Sequence, residues 1–149
     1  MVRHDQALLE RARAIRALIL DVDGGLTDSS LYYGPRGETL KRFSARDGFA
    51  IKAAQNEGLW IAILSGRVTP PLRARLTDLG ILPGLVLEGS RDKRRDIKVL
   101  VEQLDTNLAE VCFMGDDIPD LPALSQVGLA ACPADAVAEV RSCCHFVST

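Results

Sequence analysis

A short apolar run that leads directly into two closely spaced acids is the feature that most constrains this chain. Residues 18–20 are apolar, Asp21 and Asp23 follow, and two glycines come next. The run predicts a buried parallel strand, and ligands bind at the carboxyl ends of strands in open α/β sheets. Since strand side chains alternate, both acids can lean to one side, where they repel each other unless a cation or proton lies between them. A polar turn whose acids serve only solubility is the alternative, because turns favour Asp and Gly.

Strands and helices are predicted to alternate along the rest of the chain. Apolar runs predict further strands at residues 59–64, 84–87, 111–114 and 129–131, with an edge strand at 145–147. Helical patterns cover residues 5–15, 47–57, 70–79, 93–104, 122–127 and 134–142, and we interpret Asp47 and Thr69 as N-caps. This alternation predicts one α/β domain over residues 1–149, with a mainly parallel sheet and helices on both faces.

Residues 30–43 interrupt this alternation and predict a β-hairpin, because two β-prone runs flank a Gly-Pro-Arg-Gly turn. The apolar residues that it is expected to expose are Leu31, Tyr32, Tyr33, Leu40 and Phe43. A ribbon of two strands is marginal alone, and an exposed apolar patch usually marks an interface. The hairpin therefore either mediates self-association or folds back on its own domain.

The composition argues against several classes of protein. With 47% hydrophobic residues, 26% charged residues and a net charge of -2, the chain does not resemble a nucleic-acid binder driven by bulk charge. No apolar run approaches the ~18 residues of a membrane span, and the charged N-terminal residues lack the apolar core of a signal peptide. The four cysteines have no Cys-x-x-Cys spacing. We therefore expect free thiols and a cytoplasmic, reducing location.

Polar groups follow three of the other predicted strands. Ser65 follows the strand at 59–64, Lys93 opens the helix after the strand at 84–87, and Gly115-Asp116-Asp117-x-x-Asp120 follows the strand at 111–114. Clustered acids after a strand need a cation more than a turn does. The other basic residues near Lys93 are interpreted as a polar helix face; they are Arg91, Arg94, Arg95 and Lys98.

These segments, with Asp21-Val22-Asp23-Gly24-Gly25-Leu26-Thr27-Asp28, resemble in order the four motifs of the haloacid dehalogenase-like (HAD) phosphohydrolases. The resemblance implies a Rossmann-like HAD core with a small β-hairpin in place of a cap domain. Within the superfamily, the chain is most similar to the cap-less phosphatases that act on 3-deoxy-D-manno-octulosonate (KDO) 8-phosphate. Further segments that carry this similarity are Gly37-Glu38-x-x-Lys41-x-Phe43, Arg46-Asp47-Gly48, Ser65-Gly66-Arg67 and Gly89-x-x-x-Lys93.

The resemblance implies a phosphatase that hydrolyses a sugar-acid phosphate monoester through an aspartyl-phosphate intermediate. In that reaction Asp21 is the nucleophile, and Asp23 first protonates the departing sugar oxygen and then activates water. Ser65 and Lys93 neutralise charge on the transferring phosphoryl group.

The resemblance also implies a Mg²⁺ ion. Its expected ligands are the Asp21 carboxylate, the Asp23 backbone carbonyl and the Asp116 carboxylate. Such a site, with few carboxylates and several waters, is what Mg²⁺ prefers. Asp117 or Asp120 is expected to orient the waters and Lys93.

Substrate contacts are expected from Thr27, Arg46, Gly66, Arg67 and Arg75. The planar fork of arginine suits a carboxylate or a phosphate. Arg67 favours KDO 8-phosphate, because family members that act on nine-carbon sugar-acid 9-phosphates carry Glu at this position. A nine-carbon substrate is one alternative, and a non-catalytic oligomerisation module on the same fold is another. Gly25, where relatives often carry Val, keeps the second alternative open, as does the absence of the family's glycine-rich tail from residues 1–149.

The resemblance further implies a homotetramer. Family members join their hairpins in a central barrel, and each subunit helps to cover its neighbour's site. We therefore expect the hairpin at 30–43 to mediate tetramer formation here. The expected partners are a small sugar-acid phosphate and further copies of the chain, with no nucleic acid and no membrane.

Overall fold

The computed structural model describes residues 6–149, and a six-stranded parallel sheet forms its centre. The strands are β1 Ala17–Leu20, β2 Tyr32–Gly34, β3 Gly37–Leu40, β4 Trp60–Leu64, β5 Val86–Leu87, β6 Val111–Met114, β7 Leu129–Cys132 and β8 Phe146–Val147. The order in the large sheet is β5-β4-β1-β6-β7-β8, and all neighbours are parallel. The predicted α/β architecture is therefore confirmed.

Helices pack on both faces of this sheet. They are α1 Gln6–Ala14, α2 Ala45–Asn56, α3 Pro70–Asp78, α4 Lys93–Gln103, α5 Leu121–Leu124 and α6 Ala138–Cys143. Along β1, Ile19 joins the apolar cluster under α4, α5 and α6, whereas Leu20 joins the cluster under α2 and α3. The side chains of successive strand residues thus pack on opposite faces of the sheet, as expected for a sheet covered on both sides. None of the helices within residues 6–149 is long and apolar enough to cross a membrane.

Several element boundaries differ from the prediction. Ser44, and not Asp47, is the N-cap of α2, and its Oγ accepts a hydrogen bond from the Asp47 backbone N–H at 3.3 Å. Both residue types are good N-caps, but capping by Ser44 leaves Asp47 in the first turn, where its charge favours the helix dipole. Thr69 does precede α3, although its side chain makes no capping bond. The predicted helix at 5–15 starts at a residue outside the described part of the chain.

Further predicted elements are shorter in the structure, among them the helix at 122–127, which ends at Leu124. The strand expected at 84–87 is reduced to β5, because Pro83–Leu85 form a 3-10 turn. The helix expected at 134–142 begins only at Ala138, because residues 134–136 form a turn after β7. None of these changes moves the carboxyl ends of the strands.

The β-hairpin is formed by β2 and β3, which pair antiparallel with Tyr33 opposite Glu38. Leu31, Tyr32, Tyr33 and Leu40 are exposed, as predicted. The prediction for Phe43 was wrong. Its ring is half-buried against the α2–α3 cluster, and the Arg75 guanidinium lies over it at 5.8 Å from its centroid.

Candidate active site

The strand order brings the predicted motifs together at the carboxyl end of the central strands. β1 lies between β4 and β6, and Leu20 is in register with Ile63 and Met114. Asp21 therefore leaves the sheet beside the segments that follow β4 and β6. These segments carry Ser65 and residues 115–120, respectively.

Lys93, Asp21 and Asp120 form a buried ion-pair triad at this end of the sheet. Lys93 Nζ, in the first turn of α4, lies 2.6 Å from Asp21 Oδ1 and 2.5 Å from Asp120 Oδ1. Burial, with the charge of Asp120, raises the pKa of Asp21 to about 7 despite the attraction of Lys93. Burial also opposes the charge of Lys93, but the two carboxylates outweigh it and raise the pKa of this lysine. Lys93 therefore stays protonated and holds Asp21 in place.

Asp116 adds a third carboxylate to the triad. Oxygen atoms of Asp21, Asp116 and Asp120 all lie within 4.8 Å of one another. Burial and the charges of Asp120 and Asp117 raise the pKa of Asp116 to about 6. Its Oδ1 is buried and has no hydrogen-bond partner among residues 6–149. Three acids share a single ammonium group here, and Asp116 keeps an oxygen without a partner, so the cluster has the negative charge and the free ligand atom that suit a divalent cation.

Both carboxylate oxygens of Asp120 accept hydrogen bonds from other groups of the protein. Its Oδ1 accepts from Lys93, and its Oδ2 accepts from the backbone N–H groups of Asp116 and Asp117 at 3.0 and 3.2 Å. The exposed Asp117 carboxylate caps the following 3-10 turn through the Ile118 N–H. Asp120 therefore orients the acidic loop and Lys93, whereas the Asp116 carboxylate is left facing the cleft.

Two glycines allow the Asp21 loop to approach this cluster. A Cβ atom on Gly24, whose φ is +97°, would lie 1.8 Å from Asp116 Oδ2. A Cβ atom on Gly25 would lie 2.4 Å from the Asp21 carbonyl oxygen. The loop in this conformation thus requires glycine at both positions, which gives the unusual Gly25 a structural reason.

Asp23 is held by residues of the hairpin. Its Oδ1 forms an ion pair with Lys41 Nζ, and its Oδ2 lies 3.7 Å from Arg67 Nε. Glu38 bridges the two cations, at 2.8 Å from Lys41 and 2.6 Å from Arg67. Arg67 also donates a hydrogen bond to the Tyr33 hydroxyl at 2.9 Å. Neither Glu38 nor Lys41 was predicted to belong to the site; the available signal was their three-residue spacing within the hairpin motif.

A cleft of about 440 Å³ opens onto these groups. Among its lining residues are Asp21, Asp23, Gly66, Arg67, Lys93 and Asp116. Ser65 lies deeper, and its hydroxyl accepts from the Arg67 N–H and donates to the Arg67 carbonyl, both at 3.1 Å. The structure thus brings together the predicted catalytic and metal-binding residues with two of the predicted substrate-binding residues.

Three predicted substrate-binding residues lie outside this cleft. Thr27 Oγ1 stabilises the Asp21 loop through the Val22 carbonyl and the Gly24 N–H. Arg46 is exposed beside a separate cavity of about 650 Å³ between that loop and the start of α2. Arg75 donates to the Ser44 carbonyl and to Asp78 Oδ2, at 3.0 and 2.8 Å.

Arg75 lies outside the cleft of its own chain, so its contact with substrate stays a prediction. Arg75 lies in the last turn of α3, where it donates to the Ser44 carbonyl at the start of α2 and lies over the Phe43 ring. Its role in the described chain is to join α2 and α3.

Known proteins are similar to this chain in both sequence and structure. No protein-family model matches the sequence. The chain is 38% identical over 141 residues to the KDO 8-phosphate phosphatase of Haemophilus influenzae, covering 94% of this chain and 77% of that protein. The cobalt-bound structure of the Haemophilus influenzae phosphatase matches with a TM-score of 0.90 at 37% identity, over 93% of this chain and 80% of that one.

A second similar structure was solved with its ligands bound. It is the KDO 8-phosphate phosphatase of Moraxella catarrhalis, in complex with a magnesium ion, a phosphate ion and KDO. It matches with a TM-score of 0.91 at 29% identity, covering 98% of this chain and 83% of that one.

Proposed function

Because this chain belongs to the family of KDO 8-phosphate phosphatases in the HAD superfamily, we propose that it hydrolyses KDO 8-phosphate with Mg²⁺ through an aspartyl-phosphate intermediate. Membership of this family makes it a phosphoric monoester hydrolase. One observation carries the proposal: the buried Asp21 is held by Lys93 beside an Asp116 oxygen without a partner in the described chain. A relative with magnesium, phosphate and KDO bound supports it.

The metal ion would be held by the Asp21 carboxylate, the Asp116 carboxylate and the Asp23 backbone carbonyl. The unpartnered Asp116 Oδ1 fits this role, and Asp120 does not, since both of its oxygens accept other hydrogen bonds. When bound, Mg²⁺ supplies positive charge that stabilises the phosphoryl oxygens during transfer.

The first chemical step uses Asp21 and Asp23. An Asp21 oxygen attacks phosphorus, the bond from phosphorus to the sugar oxygen breaks, and Asp23 gives its proton to that oxygen. Lys93 fixes the direction of the Asp21 carboxylate and adds positive charge next to the transferred group. We propose that the Ser65 hydroxyl, now bonded to the Arg67 backbone, donates to a phosphoryl oxygen once substrate is bound.

The second step releases phosphate. Asp23 takes a proton from water, the resulting hydroxide attacks phosphorus, and the bond from phosphorus to the Asp21 oxygen breaks. The enzyme returns to its starting state, because the proton that Asp23 gave in the first step is regained in the second.

Arg67 is the residue through which we propose recognition of the sugar acid. Its guanidinium lines the cleft next to Asp23, and a planar fork matches a carboxylate. An enzyme built for this substrate should prefer KDO 8-phosphate over a nine-carbon sugar-acid 9-phosphate.

We also propose that the active form is a homotetramer and that it works in the cytoplasm. The exposed apolar hairpin residues support self-association; they are Leu31, Tyr32, Tyr33 and Leu40. The described cysteines are all free, which suits a reducing compartment.

Phosphate release from a panel of sugar-acid phosphates tests the proposal. We expect the highest kcat/KM with KDO 8-phosphate in the presence of Mg²⁺ and loss of activity with EDTA. A higher kcat/KM for the nine-carbon 9-phosphate would contradict the substrate assignment. Metal binding without hydrolysis of any ester would instead support the non-catalytic module.

A further inference from the structure

We infer that the hairpin provides two positioning residues, Lys41 and Glu38, which set the direction of the Asp23 carboxylate during the phosphatase reaction. The inference rests on the proposed function, because it gives Asp23 the proton-transfer role described above. It adds to that function a reason for the hairpin to contact the site of its own chain.

The Lys41 ammonium is enclosed between two carboxylates. Its Nζ pairs with Asp23 Oδ1 and lies 2.8 Å from Glu38 Oε1, and its side chain is only 1% exposed. The Glu38 side chain is 3% exposed. By contrast, the next hairpin residue, Arg42, forms a surface pair with Asp28 in which the two side chains are 75% and 41% exposed. Surface pairs contribute little, whereas loss of one partner from a buried pair leaves a charge uncompensated.

Arg67 completes the arrangement on the other side of Asp23. It pairs with Glu38 Oε2 at 2.6 Å, and its Nε lies 3.7 Å from Asp23 Oδ2. The Asp23 carboxylate therefore has Lys41 near one oxygen and Arg67 near the other, and Glu38 joins the two cations. Once Asp23 has given up its proton, two positive and two negative charges balance within the group, so removal of either hairpin residue leaves an unpaired charge next to the Asp23 carboxylate.

The position of Asp23 matters because one carboxylate must serve both steps. It has to reach the departing sugar oxygen and then the attacking water, and small displacements of a reacting group are costly for rate. An alkoxide is a poor leaving group and needs the proton from Asp23. An aryl oxide with electron-withdrawing substituents leaves readily without it, so its hydrolysis depends much less on where Asp23 points.

Leaving-group dependence is therefore the decisive measurement. We would compare kcat/KM for an alkyl phosphate and for a nitro-substituted aryl phosphate in the wild type, Lys41→Met and Lys41→Arg. We expect Lys41→Met to lower the alkyl value by about 10²-fold, with a much smaller loss for the aryl ester. Lys41→Arg should recover part of the alkyl activity, because it restores the cation.

The hairpin offers a matched control and a second variant. Arg36→Met removes a cation from the exposed turn of the same hairpin and should leave both values unchanged. Glu38→Gln keeps the side-chain shape and should show the same selective loss, so it replaces Lys41→Met if that variant does not fold. Equal loss on both esters, or no loss on either, would overturn the inference. Inactivity of the wild type on every ester would instead refute the proposed function.

Discussion

Lys93 Nζ lies 2.6 Å from Asp21 Oδ1, and this buried contact joins the first turn of α4 to the end of β1. The two residues are separated by 72 positions in the sequence. The contact places the Lys93 ammonium group next to the acid that we propose as nucleophile. The same ammonium group pairs with Asp120, which in turn accepts hydrogen bonds from the loop after β6.

Asp21→Asn should abolish phosphatase activity and preserve the fold. The amide has nearly the same shape but is not a nucleophile, so we expect kcat/KM to fall by a factor of about 10³ or more. The measurement is phosphate release with Mg²⁺, together with a thermal melt. Asp105→Asn, an exposed change of the same type away from the cleft, is the control and should retain full activity. Unchanged turnover by Asp21→Asn would exclude the mechanism.

Gly24→Ala should prevent metal binding. Its Cβ atom would lie 1.8 Å from Asp116 Oδ2, so this carboxylate has to move away from Asp21. Calorimetric titration with Mg²⁺ measures the effect, and we expect no detectable binding. Gly37→Ala is the matched control, because its φ is also positive, at +102°, but no atom lies within 4 Å of the added Cβ. Both variants carry backbone strain of about 1 kcal/mol, and only the first should lose the metal.

The metal-free protein should become less stable as the pH rises toward 7. The pKa values of Asp21 and Asp116 are raised from 3.8 to about 7 and about 6, so between these limits the folded state binds more protons than the unfolded state. Stability from these carboxyls is therefore greatest at low pH and is lost as the pH rises through the folded-state pKa values.

Melting temperatures in EDTA at about pH 5 and about pH 8 test this pH dependence. The decrease in melting temperature on raising the pH should be larger in the wild type than in Asp116→Asn, which lacks one of the two titrating groups. Addition of Mg²⁺ should raise the melting temperature most at the higher pH, where the acids are ionised. An equal decrease in both proteins would contradict the prediction.

Leu40→Glu should dissociate the proposed tetramer. This residue is 64% exposed on the hairpin, and a buried charge in the assembled interface would be unpaired. Sedimentation should then report the monomer mass of 16.2 kDa. The variant should also lose more kcat/KM on the sugar-acid phosphate than on a small aryl phosphate, which does not need the neighbour's contacts.

Leu82→Glu provides the matched control for assembly. Leu82 is likewise an exposed leucine, 57% accessible, but it lies near the start of the 3-10 turn before β5 and away from the hairpin. It should keep the mass of the wild type. A wild-type monomer that turns over KDO 8-phosphate efficiently would show that assembly is not required.

The local pattern of apolar strand followed by polar residue, together with the resemblance to the HAD motifs, predicted which residues form the core of the candidate site. Asp21 and Ser65 directly follow β1 and β4, and Asp116 lies two residues after β6; the structure shows that these parallel strands are neighbours, so their carboxyl ends meet. Lys93 joins them because it begins the helix that crosses back over the same sheet. These features depend on short-range sequence patterns and on the regular geometry of α/β units.

Contacts that depend on how irregular segments lie against the sheet were decided only by the tertiary structure. Lys41 reaches Asp23, and Glu38 reaches Lys41, because of the direction in which the hairpin leaves the domain, while Arg75 turns toward α2 and away from the cleft. Ser44 is the N-cap of α2, although Asp47, only three residues later, is also a residue type that suits this position. The sequence by itself thus determined the parallel α/β core and the acids that follow its strands, since both depend on short local patterns, whereas the order of the strands came from the structure. The contacts of Asp23 with Lys41 and Arg67 depend on side-chain packing between distant segments, which no local rule describes.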